Sequence, residues 1–363
     1  MRNNSRKRGE MNGELCAFID ANCDMLAEKI LYLQYARQPG LAERYAARDI
    51  KLCLRDIKYH LSYLCEAVAV DSVSLFLDYI SWAGSLLGNL KLPPEDLIIN
   101  IECMKEVLIK ESGRNSENLL VSYLDPALER LKYKKEVQFS FIKNDSPHFE
   151  LASKYLSFLI NADRVSANKL ILEALERNVS IKDLYLHVFQ VTQREIGKMW
   201  HENKISVACE HFCTAATQQI IAQLYPHIFS APKNNENKNF NVVAACVANE
   251  LHEIGLRMIA DFLEIEGYNT YFLGANVPKD SIVKTLCERN AHLLAISATM
   301  TFHVKYAADI IKEIKKSPQC SNVKVIVGGY PFNVDAGLWK NIMADGYAAD
   351  MAAVTSEASR LLH

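Results

Sequence analysis

From residue 242 to residue 347 short apolar runs alternate with helix-like stretches, and this constrains the fold more than any other feature of the chain. Residues 242–247 form an unbroken apolar run, the pattern of a parallel strand buried on both faces. Helical periodicity follows over 254–266 and stops at Gly267. The same pairing recurs as 268–273 with 280–289, 293–297 with 304–316, and 323–327 with 336–344, before a short strand near Tyr347. Strand and helix alternating in this way predict a doubly wound, mostly parallel, Rossmann-like sheet. Ligands of such sheets sit beyond the carboxyl ends of the strands, so the residues just after each strand are the ones to inspect.

Three such segments carry chemistry. Glu250, His252 and Gly255 follow the first strand; Ser297 and Thr299 follow the third; Gly328 and Gly329 follow the fourth. An imidazole suits a borderline transition metal, and a carboxylate two residues away can hold the other ring nitrogen, fixing its tautomer. Glycines let a ligand come close to the backbone because they present no Cβ. No C-x-x-C pair occurs among the ten cysteines, so zinc-ribbon and thioredoxin-type sites are excluded, and Cys209 and Cys213 have no further ligands nearby in sequence. There is no Walker loop, H-E-x-x-H helix or G-x-S-x-G elbow, and no G-x-G after the first strand to hold a nicotinamide cofactor.

In their order and spacing the three segments resemble B12-binding domains, whose pattern is D-x-H-x-x-G, S-x-L and G-G. Here 41 residues separate Gly255 from Ser297 and 28 separate Thr299 from Gly328. The resemblance implies that His252 replaces dimethylbenzimidazole as the lower axial ligand of cobalt, with Glu250 behind it. It also implies that the nucleotide tail lies beside Ser297, Thr299, Gly328 and Gly329. Two residues depart from the pattern: Glu250 stands where Asp is usual, and Thr299 where Leu is usual, offering an extra hydrogen bond.

Residues 146–229 read as a four-helix-bundle cap, with breaks at 161–163 and 178–180. Trp200 is followed after nine residues by Glu210 and His211. This resembles the W-x9-E-H signature in the cap of adenosylcobalamin-dependent photoreceptors of the CarH/LitR type, and the resemblance covers 147–363. It implies adenosylcobalamin, with Trp200 as an apolar lid, Glu210 and His211 on the nucleoside, and His201 as the upper cobalt ligand after photolysis. The expected function is therefore a light-responsive signalling regulator rather than an enzyme. The alternative is a corrinoid methyl-carrier of a methyltransferase system, with methylcobalamin as cofactor. A mutase subunit is disfavoured because the chain contains no barrel.

Residues 1–145 are expected to be all helical, with apolar periodicity over 50–68, 75–87 and 97–108 and a helix start at Pro93, Pro94, Glu95 and Asp96. The photoreceptors named above carry a DNA-binding domain at this end. Here no helix-turn-helix and no basic face is evident, and the net charge is −2, so direct DNA binding is not expected. The block reads instead as a sensor or interaction domain for an unknown protein partner, or for a homo-oligomer. Asp56, Tyr59, His60, Tyr63 and Trp82 could line a second chromophore pocket, although aromatic residues at helical spacing are more often core. The basic cluster Arg2, Arg6, Lys7 and Arg8 reads as a solvated tail, and 230–240 as a linker to the cofactor domain at 241–363. No apolar run is long enough for a membrane helix and no signal pattern opens the chain, so a cytoplasmic protein is expected.

Overall fold

A computed structural model describes residues 2–44, 47–133, 139–230 and 236–363. The chain divides into two compact units, Met1–Glu136 with Val334–Asn341, and Val137–Asn333 with Ile342–His363.

The first unit is helical. Its main helices are Arg2–Ala21, Cys23–Arg37, Ala47–Ala69, Val73–Asn89, Pro94–Ser112 and Glu117–Lys132. Cys23–Arg37 packs on Pro94–Ser112, and Val73–Asn89 on Glu117–Lys132. Leu61, Leu64, Phe76, Ile80 and Ile101 bury the apolar faces anticipated from their spacing, and Leu26, Ile30 and Leu124 bury those of the helices Cys23–Arg37 and Glu117–Lys132. The N-terminal segment is helical from Arg2, and Arg8 of the basic cluster is exposed. A polar segment forms helix when its residues have adequate propensity and continue an amphipathic helix, whose Leu15 and Ile19 are buried here. The side chains of Arg2, Arg6 and Lys7 lie outside the described residues.

The second unit contains a helical cap and a sheet. The cap runs through Phe149–Ile160, Arg164–Glu176, a long segment from Ile181 to His201, Val207–Ala222 and Tyr225–Ser230. Its breaks have local causes. Ala162, Asn178 and Asn203 take positive φ at the turns. Asp163, Ser180 and Ser206 then cap the next helices by accepting from the N–H groups of Ser166, Asp183 and Cys209. Within the long segment, Leu184–Phe189 is a π-helical turn.

The sheet consists of β1 (Asn241–Cys246), β2 (Asn269–Gly274), β3 (Leu293–Ser297), β4 (Lys324–Gly328) and β5 (Gly346–Tyr347), ordered β2-β1-β3-β4-β5 and parallel throughout. Cys246 pairs with Ser297 and Ser297 with Gly328, so the three candidate segments leave the sheet at one rim. The strand order reverses between β1 and β3, where an open parallel sheet forms its ligand crevice. The helix expected at 336–344 shortens to Leu338–Asn341, behind Gly337, and belongs to the first unit. A terminal helix, Met351–Leu362, completes the layer. Cap and sheet share a core: Tyr155, Leu159, Tyr185, Phe189 and Ile220 pack with Met258 and Phe262 of helix Ile254–Ile265. Of the expected linker, residues 231–235 lie outside the described residues.

Candidate functional site

The site is built on the loop between β1 and helix Ile254–Ile265. Asn249 takes a positive φ of 64° there. The turn sends the Glu250 side chain inward, where it is fully buried, and leaves the His252 ring 61% exposed. Glu250 Oε1 accepts from the His252 backbone N–H at 3.0 Å and pairs with His252 Nδ1 at 2.5 Å. Its Oε2 accepts from the Thr299 backbone N–H at 2.5 Å and pairs with His303 Nδ1 at 2.8 Å. Burial alone would raise this carboxyl, but the hydrogen bonds from His252, His303 and Thr299 outweigh it and hold it at about 2. The carboxylate is therefore ionised at neutral pH. Its hydrogen bond raises the His252 pKa, against the opposing effect of burial, and Glu210 of the cap adds its field.

These residues fit a corrin. The His252 Nδ1 side is committed to Glu250, while Nε2 has no protein partner among the described residues. That is the donor arrangement of a metal-ligating histidine oriented by a carboxylate. A Cβ built on Gly255 meets no atom within 4 Å, so the space over the start of the helix is open to a flat ligand. Ser297 and Gly328 end their strands at the same rim.

Gly329 is needed for another reason as well. It has φ +108°, and a Cβ there would lie 2.0 Å from the Ala298 carbonyl oxygen. The glycine is demanded by the fold of its own turn before any cofactor enters. A Cβ on Gly328 would meet the Ala348 carbonyl at 3.1 Å. The Thr299 backbone N–H donates to the Glu250 carboxylate.

In the cap, Trp200 ends helix Gln190–His201 with 46% of its surface exposed, and His201 beside it is half-buried. Glu210 and His211 open helix Val207–Ala222 and are paired with each other at 2.6 Å. Thr214 donates to Glu210 Oε1 at 2.9 Å. Gln218, one turn further on, donates to Glu253 at 3.2 Å and joins cap to rim. His303 was not among the residues singled out from sequence. Its position in the turn after β3, six residues beyond Ser297, is the only signal that pointed to it.

The aromatic cluster of the helical unit is a packed stack. His60 is buried and its Nδ1 lies 2.7 Å from the Tyr79 hydroxyl. Tyr79 stacks on Tyr63 at 3.7 Å and on Trp82 at 5.9 Å between ring centres. Burial lowers the His60 pKa to about 4, so the ring is neutral at pH 7. Asp56 and Tyr59 stay at the surface edge of the same helix.

Families described as B12 binding domain match residues 240–355 and, as a separate family, 151–225. The cofactor is a cobalamin. The match at 151–225 falls on the cap and the match at 240–355 on the sheet that carries His252. The Phycobilisome protein family matches residues 20–131 of the helical unit.

Among curated proteins, Dimethylamine corrinoid protein 1 of Methanosarcina mazei is 30% identical over 133 residues, 36% of this chain and 60% of that protein. The chain thus spans 60% of the length of that relative. Trimethylamine corrinoid protein 1 of Methanosarcina acetivorans is 25% identical over 215 residues, 59% of this chain and 97% of that protein. The solved monomethylamine corrinoid protein of Methanosarcina barkeri shares the fold, with a TM-score of 0.51 and 21% identity over 60% of this chain and 99% of that one.

These relatives overturn the expectation of a light-responsive regulator of the CarH/LitR type. They are named as methylamine corrinoid proteins, and the light-driven ligand exchange expected at His201 belonged to the overturned reading. The W-x9-E-H spacing misled because a tryptophan closing one helix and an acidic first turn opening the next also arise from ordinary bundle geometry. Glu210 here is engaged by its own helix. No described helix is long and apolar enough to cross a membrane.

Proposed function

We propose that the chain is a corrinoid methyl-carrier component of a methyltransferase system, with methylcobalamin as the working form of its cofactor. The observation that carries this reading is the match to trimethylamine corrinoid protein 1, which extends over 97% of that protein. Cobalamin, when bound, supplies a cobalt centre that accepts and gives up a methyl group. The chain's own residues hold and orient it. His252, positioned by Glu250, would hold the cobalt, Gly255 would let the macrocycle come close, and Ser297, Thr299, Gly328 and Gly329 would border the tail groove. Trp200 covers the upper face, where its exposed indole gives an apolar lid suited to a small alkyl group. The cap spans 146–229 and the cofactor domain 241–363. The partners are methyltransferases that load and unload the carrier.

The helical unit lies beyond the carrier layout, since the aligned 215 residues nearly exhaust the trimethylamine relative. We assign it to partner binding, supported by the exposed Leu52, Tyr59 and Trp82 on its surface.

The test uses the full chain loaded with cobalamin and reduced to cobalt(I). Radiolabelled methyl from di- or trimethylamine, supplied with methyltransferase fractions of the source organism, should appear on the protein-bound corrin and then on a thiol acceptor. His252→Ala should abolish the transfer. Tight cobalamin binding with no methyl exchange in either direction would overturn the reading.

A further inference from the structure

Glu250 is shared. A carboxylate has about four lone-pair directions, and all of them are used here: Oε1 by the ring and backbone of His252, Oε2 by the Thr299 N–H and His303 Nδ1. Because the ionised carboxylate can only accept, the proton in each imidazole contact belongs to the imidazole. His303 is buried to within 3% and approaches from the turn after β3, with its ring edge-on to Phe302 at 4.5 Å. Two histidines from different elements thus draw on one buried negative charge, and only one of them faces the cofactor crevice.

We propose that His303 is a positioning residue that tunes His252 through Glu250. Geometrically, it pins Oε2 so that the carboxylate cannot rotate away from His252. Electronically, each donor on a carboxylate weakens its pull on the others. His252 therefore keeps more of its Nδ1 proton than it would beside an unshared carboxylate, and its Nε2 is a weaker donor to cobalt. A weaker axial donor favours the low-valent state, which has little use for an axial ligand. The sharing thus eases the reduction of cobalt(II) to cobalt(I). The inference rests on the assignment of His252 as axial ligand and is independent of what the cofactor transfers.

The test compares wild type with His303→Phe and His303→Asn in the full-length, cobalamin-loaded protein. Phe fills the ring's volume without a donor, and the Asn amide nitrogen can stand where His303 Nδ1 stands. Two readouts are needed: the nitrogen splitting in the electron paramagnetic resonance spectrum of the cobalt(II) form, and the cobalt(II)/cobalt(I) midpoint potential. The expected result is retained nitrogen splitting in all three proteins, a more negative midpoint in His303→Phe, and a return toward wild type in His303→Asn. An unchanged midpoint in His303→Phe, or a shift that Asn does not reverse, would overturn the proposal and leave His303 as packing. His252→Ala is the separate control. Splitting that is absent in wild type, or that survives in His252→Ala, removes the axial assignment itself and this inference with it.

Discussion

Asp261 joins the cap to the cofactor domain, and its ionisation makes a quantitative prediction. It lies on helix Ile254–Ile265, is 3% exposed, and accepts from Tyr185 and Tyr225 of the cap at 2.9 Å each. Burial raises its carboxyl from 3.8 to about 6, with the two phenols and Arg257 opposing the rise. For an acid with a raised folded pKa, the native state holds the proton more tightly than the unfolded chain. Stability therefore falls as pH rises from about 4 to about 6. A shift of roughly two units corresponds to about 3 kcal/mol. Asp261→Asn keeps the shape and a partner for each phenol but cannot ionise. The wild type should therefore lose about 3 kcal/mol relative to Asp261→Asn between pH 4 and pH 7. The assay is urea denaturation of cofactor-free protein across this range. Pulsed hydrogen exchange of cap and sheet peptides keeps melting of the helical unit out of the result. Taking the difference between the two proteins cancels the other titrating groups. A difference that stays flat with pH, or one that grows in favour of wild type, would refute the argument from burial.

Three substitutions at the rim carry further predictions. Gly329→Ala must move the Ala298 carbonyl or abandon its φ of +108°, and should cost about 2–5 kcal/mol. Gly328→Ala, which meets Ala348 at 3.1 Å, should cost about 1 kcal/mol; equal losses in denaturant titrations would show that the turn adapts freely. Glu250→Gln removes a buried carboxylate held near 2 by its hydrogen bonds, and should destabilise the cofactor-free protein by about 3 kcal/mol at neutral pH. Because that folded pKa is depressed, the wild-type advantage should be full above pH 4.5 and shrink as pH falls toward 2. An advantage that persists unchanged in acid would mean that packing, not charge, carries it.

The parallel sheet was legible because doubly buried strands write themselves as unbroken apolar runs, and 293–297 and 304–316 coincide with the observed strand and helix. The terminal helix Met351–Leu362 was missed. Its clearest marker, Asp350 accepting from the Ala353 N–H, is one residue in a weakly patterned stretch. Glu250 and His252 could be paired from sequence because they stand two positions apart. His303 could not, since its contact spans 53 residues and depends on how the turn after β3 closes. Thr299 was singled out by its place in the segment after the third strand, and its N–H bond to Glu250 uses a group that every residue but proline carries, so residue type gave no sign of it. The identity of Gly329 was legible, whereas the Ala298 carbonyl that demands it was not.

The cap is fastened unevenly along helix Ile254–Ile265. Beyond the helix's far end Lys182 pairs with Glu266, and within its last turns Tyr185 and Tyr225 hold Asp261, with Met258 and Phe262 buried in the cap core. Exposing those two apolar side chains would cost about 1.5–3 kcal/mol each, and unpairing the buried Asp261 cluster about 1–3 kcal/mol for each group left unsatisfied. At the near end, next to His252, Gln218 of the cap donates to Glu253, and Ile254 packs against the cap core. Asp261 is six residues from Gly255, about 9 Å along the helix axis. Rigid removal of the cap is therefore costly, and much of that cost is held at Met258, Asp261 and Phe262.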